Sequence, residues 1–188
     1  MALPASEIAL YRWAMRDVNT LAQADLVRRW RQFDLTDAEN VRDGLLDTLP
    51  AIVAGYHVSA ATVAVDWYDL MRANAGVRRR FEAIMPDPPD TSRAHALARW
   101  GVTPMFSADP NPTIALSKIA GGLQRVITDG AREAITVSST QDPARPGWQR
   151  VGTGRCNYCR ERIGLHITNS TIFESHDACG CVAVPRFD

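Results

Sequence analysis

Apolar residues recur at spacings of three and four over most of the chain before residue 140, and that period predicts helices. From Ser6 to Phe33 the positions Ile8, Tyr11, Met15, Val18, Ala22, Leu26, Trp30 and Phe33 form one buried stripe. Arg12, Arg16, Asp25, Arg28 and Arg31 occupy another face, read as solvated. Thr36 and Glu39 have capping-box spacing and open a second helix, with Val41, Leu45, Leu49, Ile52 and Val53 as its apolar positions. Pro50 removes a backbone donor and is expected to kink or restart that helix. After Gly55-Tyr56-His57 an alanine-rich helical run continues from Ser59 to Ala75 and stops at Gly76. Within it Asp66 and Asp69 stand beside the stripe at helical spacing, which suits a capped or salt-bridged surface pair. His57 reads as a local hydrogen-bonding group at a helix junction.

Pro86-Asp87-Pro88-Pro89-Asp90 is the clearest break in the first half and is expected to divide the helical region into two subassemblies. A short helix follows from Thr91 to about Trp100. Pro112 then suits the first turn of another long helix carrying Ile114, Ile119, Leu123, Val126, Ile127 and Ile135. Gly121, Gly122 and Gly130 each weaken that helix by about 1 kcal/mol relative to alanine, and close packing of another element is the expected reason. Beyond Gly147 the period changes to short β-like pieces, Trp148 to Val151, Leu165 to Thr168 and Cys181 to Val184. The fold class expected is α+β and mostly helical. A long-helix body over residues 1–140 precedes a small C-terminal Cys/His lobe of short strands over residues 141–188.

Composition narrows the function classes. With 188 residues, 46% of them hydrophobic, the chain suits one core with an appended lobe. A formal net charge of zero argues against recruitment to nucleic acid by global charge. Local arginine patches remain, at Arg78-Arg79-Arg80 and at Arg145, Arg150, Arg155, Arg160 and Arg162 around the first cysteines. The first residues, Met1 to Glu7, lack the charged start and apolar run of a secretion signal, and no uncharged apolar run is read as approaching the ~20 residues of a membrane span. The expectation is a soluble protein in a reducing cytoplasm with no membrane partner. There, paired cysteines are more often metal ligands or redox groups than disulfides.

All four cysteines lie in Cys156-Asn157-Tyr158-Cys159 and His176-Asp177-Ala178-Cys179-Gly180-Cys181. Tetrahedral zinc takes four thiolate or imidazole ligands, and Cys156, Cys159, His176, Cys179 and Cys181 offer one too many. The preferred set is Cys156, Cys159 and His176 with either Cys179 or Cys181, because a Cys-x-Cys pair rarely lets both sulfurs reach one cation. Disulfides and plain buried thiols are the competing readings. A structural metal would supply the stability that so small a lobe lacks.

Catalytic alternatives have less in their favour. A zinc hydrolase needs an open ligand position and a general base, and Glu174 and Asp177 are the only nearby acids. The nucleobase-deaminase order is reversed, and no His-x-Glu occurs. A thioredoxin-like dithiol, with Arg155 and Arg160 lowering a thiol pKa, leaves the downstream His-Cys-Cys cluster unexplained. For a protease, His166 and His176 have Ser138, Ser139, Ser170 and Ser175 within plausible reach, without a Gly-x-Ser-x-Gly elbow.

The order Cys-x-x-Cys, spacer, His-x-x-Cys-x-Cys, Val184-Pro185, preceded by Asp142-Pro143 and Trp148-Gln149-Arg150-Val151, resembles the Mu F-like minor capsid (head morphogenesis) proteins of tailed phages. The likeness is to forms found in actinobacterial phages and prophages. Arg42 to Leu46, Leu49-Pro50-Ala51, Ala60 to Tyr68, Gly121 to Ile127 and Ala131 to Ile135 resemble that family as well, so the likeness covers nearly the whole chain. It implies a low-copy structural head protein assembled with the portal protein and major capsid protein, in the host cytoplasm first and then in the virion. Contact with DNA through its arginines belongs to the same expectation. Relatives commonly carry a longer, glycine-rich spacer with an arginine-glycine turn, whereas here only Arg160 to Ser175 separate Cys159 from His176. Some relatives are labelled capsid maturation proteases, so protease or zinc-dependent hydrolase is the alternative. A domesticated host remnant that binds DNA or protein is a third reading.

Overall fold

The computed structural model describes residues 5–154 and 156–187; Met1 to Pro4, in the stretch read for a secretion signal, and Arg155 lie outside the described residues. Helices α1 (Ala5–Trp30), α2 (Ala38–Asn74), α3 (Thr91–Gly101) and α4 (Pro112–Gln141) come first, with a 3-10 turn over Thr103–Phe106 before α4. Strand β1 (Trp148–Val151), the one-turn helix α5 (Asn157–Arg160), β2 (His166–Ile167) and β3 (Val182–Pro185) follow. The strands form an antiparallel sheet in the order β2-β1-β3, with Trp148 opposite Ile167 on one side and Pro185 on the other. The mostly helical α+β fold with a small C-terminal Cys/His region is the fold observed.

Helix α1 buries Tyr11, Met15, Ala22, Leu26 and Trp30 from the predicted stripe, but it ends at Trp30 and not at Phe33. Phe33 instead folds back from the following turn against Gly44, where a Cβ would stand 2.4 Å from the ring. Helix α2 runs unbroken for 37 residues, so it does not restart at Pro50 or after His57. A proline forfeits one helical hydrogen bond. Burial of Leu49 and Val53 on either side of Pro50 holds the helix through that loss. Its N-cap is Asp37, whose carboxylate accepts from the Glu39 and Asn40 amides, while the expected cap Thr36 donates its hydroxyl to Asp34.

By length and composition α2 could cross a membrane, with mean hydropathy 1.4 over its most apolar window, so the sequence reading of no such run is corrected. The helix packs against α1, α3 and α4, burying Leu45, Leu49, Val53, Ala60 and Ala64 in the shared core. That core is continuous from α1 through α4 to β1 and β3, and the proline-rich break does not separate two subassemblies. The break is tied down: Asp69 accepts from the Ala83 amide at 3.0 Å and Ser138 Oγ from the Ile84 amide at 2.8 Å. Burial pushes the Asp69 carboxyl up.

The α4 glycines are packed as expected. A Cβ at Gly122 would meet Leu97 Cδ1 at 2.4 Å, and one at Gly130 would meet the His57 carbonyl at 2.7 Å. His57 thus lies mid-helix against α4, fully buried, with no hydrogen-bond partner for Nδ1 among the described residues. Burial lowers its pKa. Ile114, expected in the α4 stripe, is exposed.

Where α4 ends, the fully buried Asp142 pairs with Arg72 of α2 at 2.7 Å and accepts from the Tyr68 hydroxyl at 3.0 Å. It also accepts from the Ala144 amide at 2.8 Å. This network fixes the turn that starts β1. Strand β3 is buried on both faces and packs on α4, which fastens the sheet to the helices. Compared with the sequence reading, β2 shrinks to two residues and β3 shifts to Val182–Pro185, while α5 is an element the periodicity did not suggest.

Candidate metal centre

The Cys-x-x-Cys segment folds as a knuckle because Cys156 caps α5, its Sγ accepting from the Cys159 amide at 3.2 Å. That turn puts both sulfurs on one side. The opposing segment is a tight turn closed by the Cys179 amide on the His176 carbonyl at 3.1 Å, with Ala178 in the left-handed region at φ 57°. Non-glycine residues adopt that conformation at a cost, and such strain collects where surrounding contacts over-determine the backbone. Here the Ala178 amide donates to the Gly121 carbonyl of α4 at 3.0 Å.

The two turns meet through their side chains. His176 Nε2 lies 3.1 Å from Cys156 Sγ and 3.3 Å from Cys159 Sγ, and Cys159 Sγ lies 3.8 Å from Cys179 Sγ. A tetrahedral zinc with bonds of about 2.3 Å to sulfur has S···S edges of about 3.8 Å. The second group, Cys159, Cys179 and Cys181, also lies within 4.8 Å, so both sulfurs of the Cys-Gly-Cys turn join the cluster and Cys159 belongs to both groups. Gly152 makes room for Cys181, since a Cβ there would sit 2.3 Å from its Sγ. All four cysteines are free thiols. Either group can hold a metal ion such as zinc.

The histidine is oriented for that role. Its Nδ1 lies 2.8 Å from the Asp177 carbonyl, so Nδ1 carries the proton and donates it, and the Nε2 lone pair faces the sulfurs. The same backbone contact raises the His176 pKa. The thiols are pulled apart in acidity. The hydrogen bond from Cys181 brings Cys179 down to about 4, with the Arg132 charge adding to it. Burial pushes Cys159 up to about 11, the bond to the Cys179 sulfur pushes Cys181 up, and the Cys159 amide lowers Cys156. A divalent cation would replace the remaining thiol protons, which makes binding proton-releasing.

Around the sulfurs runs a support that sequence reasoning missed. One stripe of α4 meets the second cysteine segment rung by rung. The Gly121 carbonyl takes Ala178, Arg125 pairs with Asp177 at 3.3 Å, and Asp129 accepts from the Ser175 hydroxyl at 3.0 Å. Thr136 donates to the Thr171 carbonyl at 2.9 Å. At its centre the buried Arg132 donates Nη2 to the Cys179 and Cys181 carbonyls, each at 2.9 Å, and Nη1 to Asp129 at 2.7 Å. Phe173 lies between Arg132 and Arg150, whose guanidinium carbons stand 4.9 and 3.9 Å from its ring. The spacing of residues 121, 125, 129, 132 and 136 was the available signal, a second helical stripe beside the apolar one.

The groups considered for chemistry are otherwise engaged, apart from Ser139, whose Oγ has no hydrogen-bond partner among the described residues. Glu174 accepts from the Tyr158 hydroxyl at 2.5 Å and pairs with Arg162, and the tyrosine bond holds its carboxyl below the usual range. Ser138 receives the Ile84 amide, Ser170 the Ile172 amide, and Ser175 donates to Asp129. Ser139 is buried. His166 Nε2 is 3.0 Å from the Pro146 carbonyl. Among the described residues no hydrogen bond joins these serines to His166 or His176.

A protein-family model described as VG15 protein matches residues 3–188. No curated protein and no solved structure matches the chain.

Proposed function

The chain belongs to the VG15 protein family, and from that membership and the cluster we propose that it is a Mu F-like structural minor capsid protein of a tailed phage or prophage. In this reading it associates with the portal and major capsid proteins in the host cytoplasm during head morphogenesis and stays in the virion, with its arginines available to DNA. The observation that carries the proposal is the cluster itself. Its residues stand in the order on which the resemblance to those head proteins rests, and the hold of Arg132 on the second cysteine turn supports a cross-linking role.

The metal in this proposal is a structural zinc. Cys156, Cys159 and His176 with Cys179 are the favoured set, because Cys159 to Cys179 spans a tetrahedral edge. Bound there, zinc would tie α5 to the turn that Arg132 pins on α4. The hydrolase alternative needs a free base beside the metal. Glu174 is already committed to Tyr158 and Arg162, and Asp177 to Arg125.

Co-expression of the chain with the portal and major capsid proteins encoded beside it, followed by isolation of heads, tests the assignment. A few copies per head, with the capsid precursor left intact on incubation with the purified chain, is the expected result. Discrete cleavage of that precursor would replace the structural role by the protease reading, and heads without the chain would remove it.

A further inference from the structure

A cavity of about 540 Å³ lies between the polar face of α1 and the outer side of the Cys/His cluster. Its size is ordinary for a small-molecule site. Its charges are not balanced: Arg12 and Arg16 both line it, with no aspartate or glutamate among the described lining residues. These arginines stand one turn apart on α1, where like charges repel. Neither enters an ion pair among the described residues.

Two side chains of the lining each carry a buried polar atom without a hydrogen-bond partner among the described residues. Arg12 Nε is a donor left unused. Asn19 Oδ1 is an acceptor left unused, although its Nδ2 already donates to the Met15 carbonyl at 2.8 Å and to Thr128 Oγ1 at 3.1 Å. Buried polar groups in folded proteins are nearly always paired, so a donor and an acceptor left over on side chains that line one cavity point to a ligand that would pair them once seated. It must be anionic, offer several acceptor oxygens to guanidinium forks, and present one O–H to Asn19. Thr20, Gln23 and Gln124 add further neutral hydrogen-bonding groups to the same wall.

We propose that this cavity is a binding site for a phosphate-class oxyanion, held by Arg12 and Arg16 and oriented by Asn19. Arginine matches phosphate geometry through paired N–H donors, which a point charge does not. A divalent metal with three thiolates and one imidazole on the cluster side carries one net negative charge, fewer than the two guanidiniums supply. The site therefore keeps its attraction for an anion whether or not the cluster is loaded. This inference does not rest on the head-protein reading. Free phosphate supplies both the oxygens and the O–H, the phosphodiesters of single-stranded DNA the oxygens alone, and the test separates them.

The full chain as purified is titrated with inorganic phosphate against chloride at equal ionic strength, following the arginine Nε–H resonances. A saturable shift of the Arg12 signal is expected. Arg16→Gln, at an exposed position, should weaken phosphate binding about tenfold, and Arg12→Lys, which keeps the charge but loses the fork, at least as much. Arg29→Gln on the same helix lies outside the cavity and should leave binding unchanged. A short unphosphorylated DNA single strand that competes with phosphate marks a phosphodiester site, and one that does not marks a site for the free ion. No saturable shift in folded protein overturns the proposal, as does wild-type affinity in folded Arg16→Gln and Arg12→Lys.

Discussion

The helical body and the cysteine region are held by opposite kinds of interaction. In the body, side chains such as Leu45, Leu49, Ile119 and Ile127 are fully withdrawn from water, and the helices meet closely at Gly122 and Gly130. Around the cysteines the second hydrophobic cluster consists, among the described residues, of the cysteines and Phe173, and the segment is held by hydrogen bonds from α4. Apolar contact is non-directional and survives small displacements, whereas the cluster works only if a few polar atoms stay at fixed distances. Stability and geometry are therefore lost by different changes in the two regions. The Arg72–Asp142 pair sits at their junction.

The largest effect on overall stability is expected there. Asp142→Ala leaves Arg72 charged and buried without its carboxylate, and removal of one partner of such a pair costs about 3–5 kcal/mol. Urea unfolding monitored by circular dichroism should show that loss, and a change below about 1 kcal/mol would mean the junction is not shared. Next comes Arg132→Leu, which strips the donors from the Cys179 and Cys181 carbonyls. Loss of outer support typically lowers metal affinity by about 10–100-fold. Competition with a chromophoric chelator should find that weakening with helix content unchanged; equal damage to both would erase the contrast between the regions.

The smallest effect belongs to the body. Burial depresses the His57 pKa, so the unfolded chain takes up that proton first as pH falls. The stabilisation is fully present above the ordinary histidine pKa of about 6.5 and is lost as pH drops through the folded value. Unfolding free energy should thus decline on acidification, and decline less steeply in His57→Gln. Parallel curves for the two proteins would take His57 out of the acid sensitivity and leave it to groups such as the candidate metal ligands.

The same contrast explains what the sequence disclosed. Apolar periodicity marked α1, α2 and α4, because burial of Tyr11, Leu45 or Ile127 requires no knowledge of a distant partner. It missed the continuity of α2 through Pro50, since tertiary packing decides that and the local rule does not. In the candidate site the five candidate ligands were visible by residue type and spacing. Arg132 was not, because its partners are backbone carbonyls some fifty positions away that no side-chain pattern announces. His57 was visible but misplaced, its burial arising from the Gly130 contact across two helices.

Cys159 belongs to both candidate ligand groups, and so it bears most directly on the claim that a metal closes this region. The metal content of the purified chain, measured beside that of Cys159→Ser, is the decisive comparison. One zinc per wild-type chain, lost in the variant, is the predicted result; a folded wild-type chain without stoichiometric metal would contradict it.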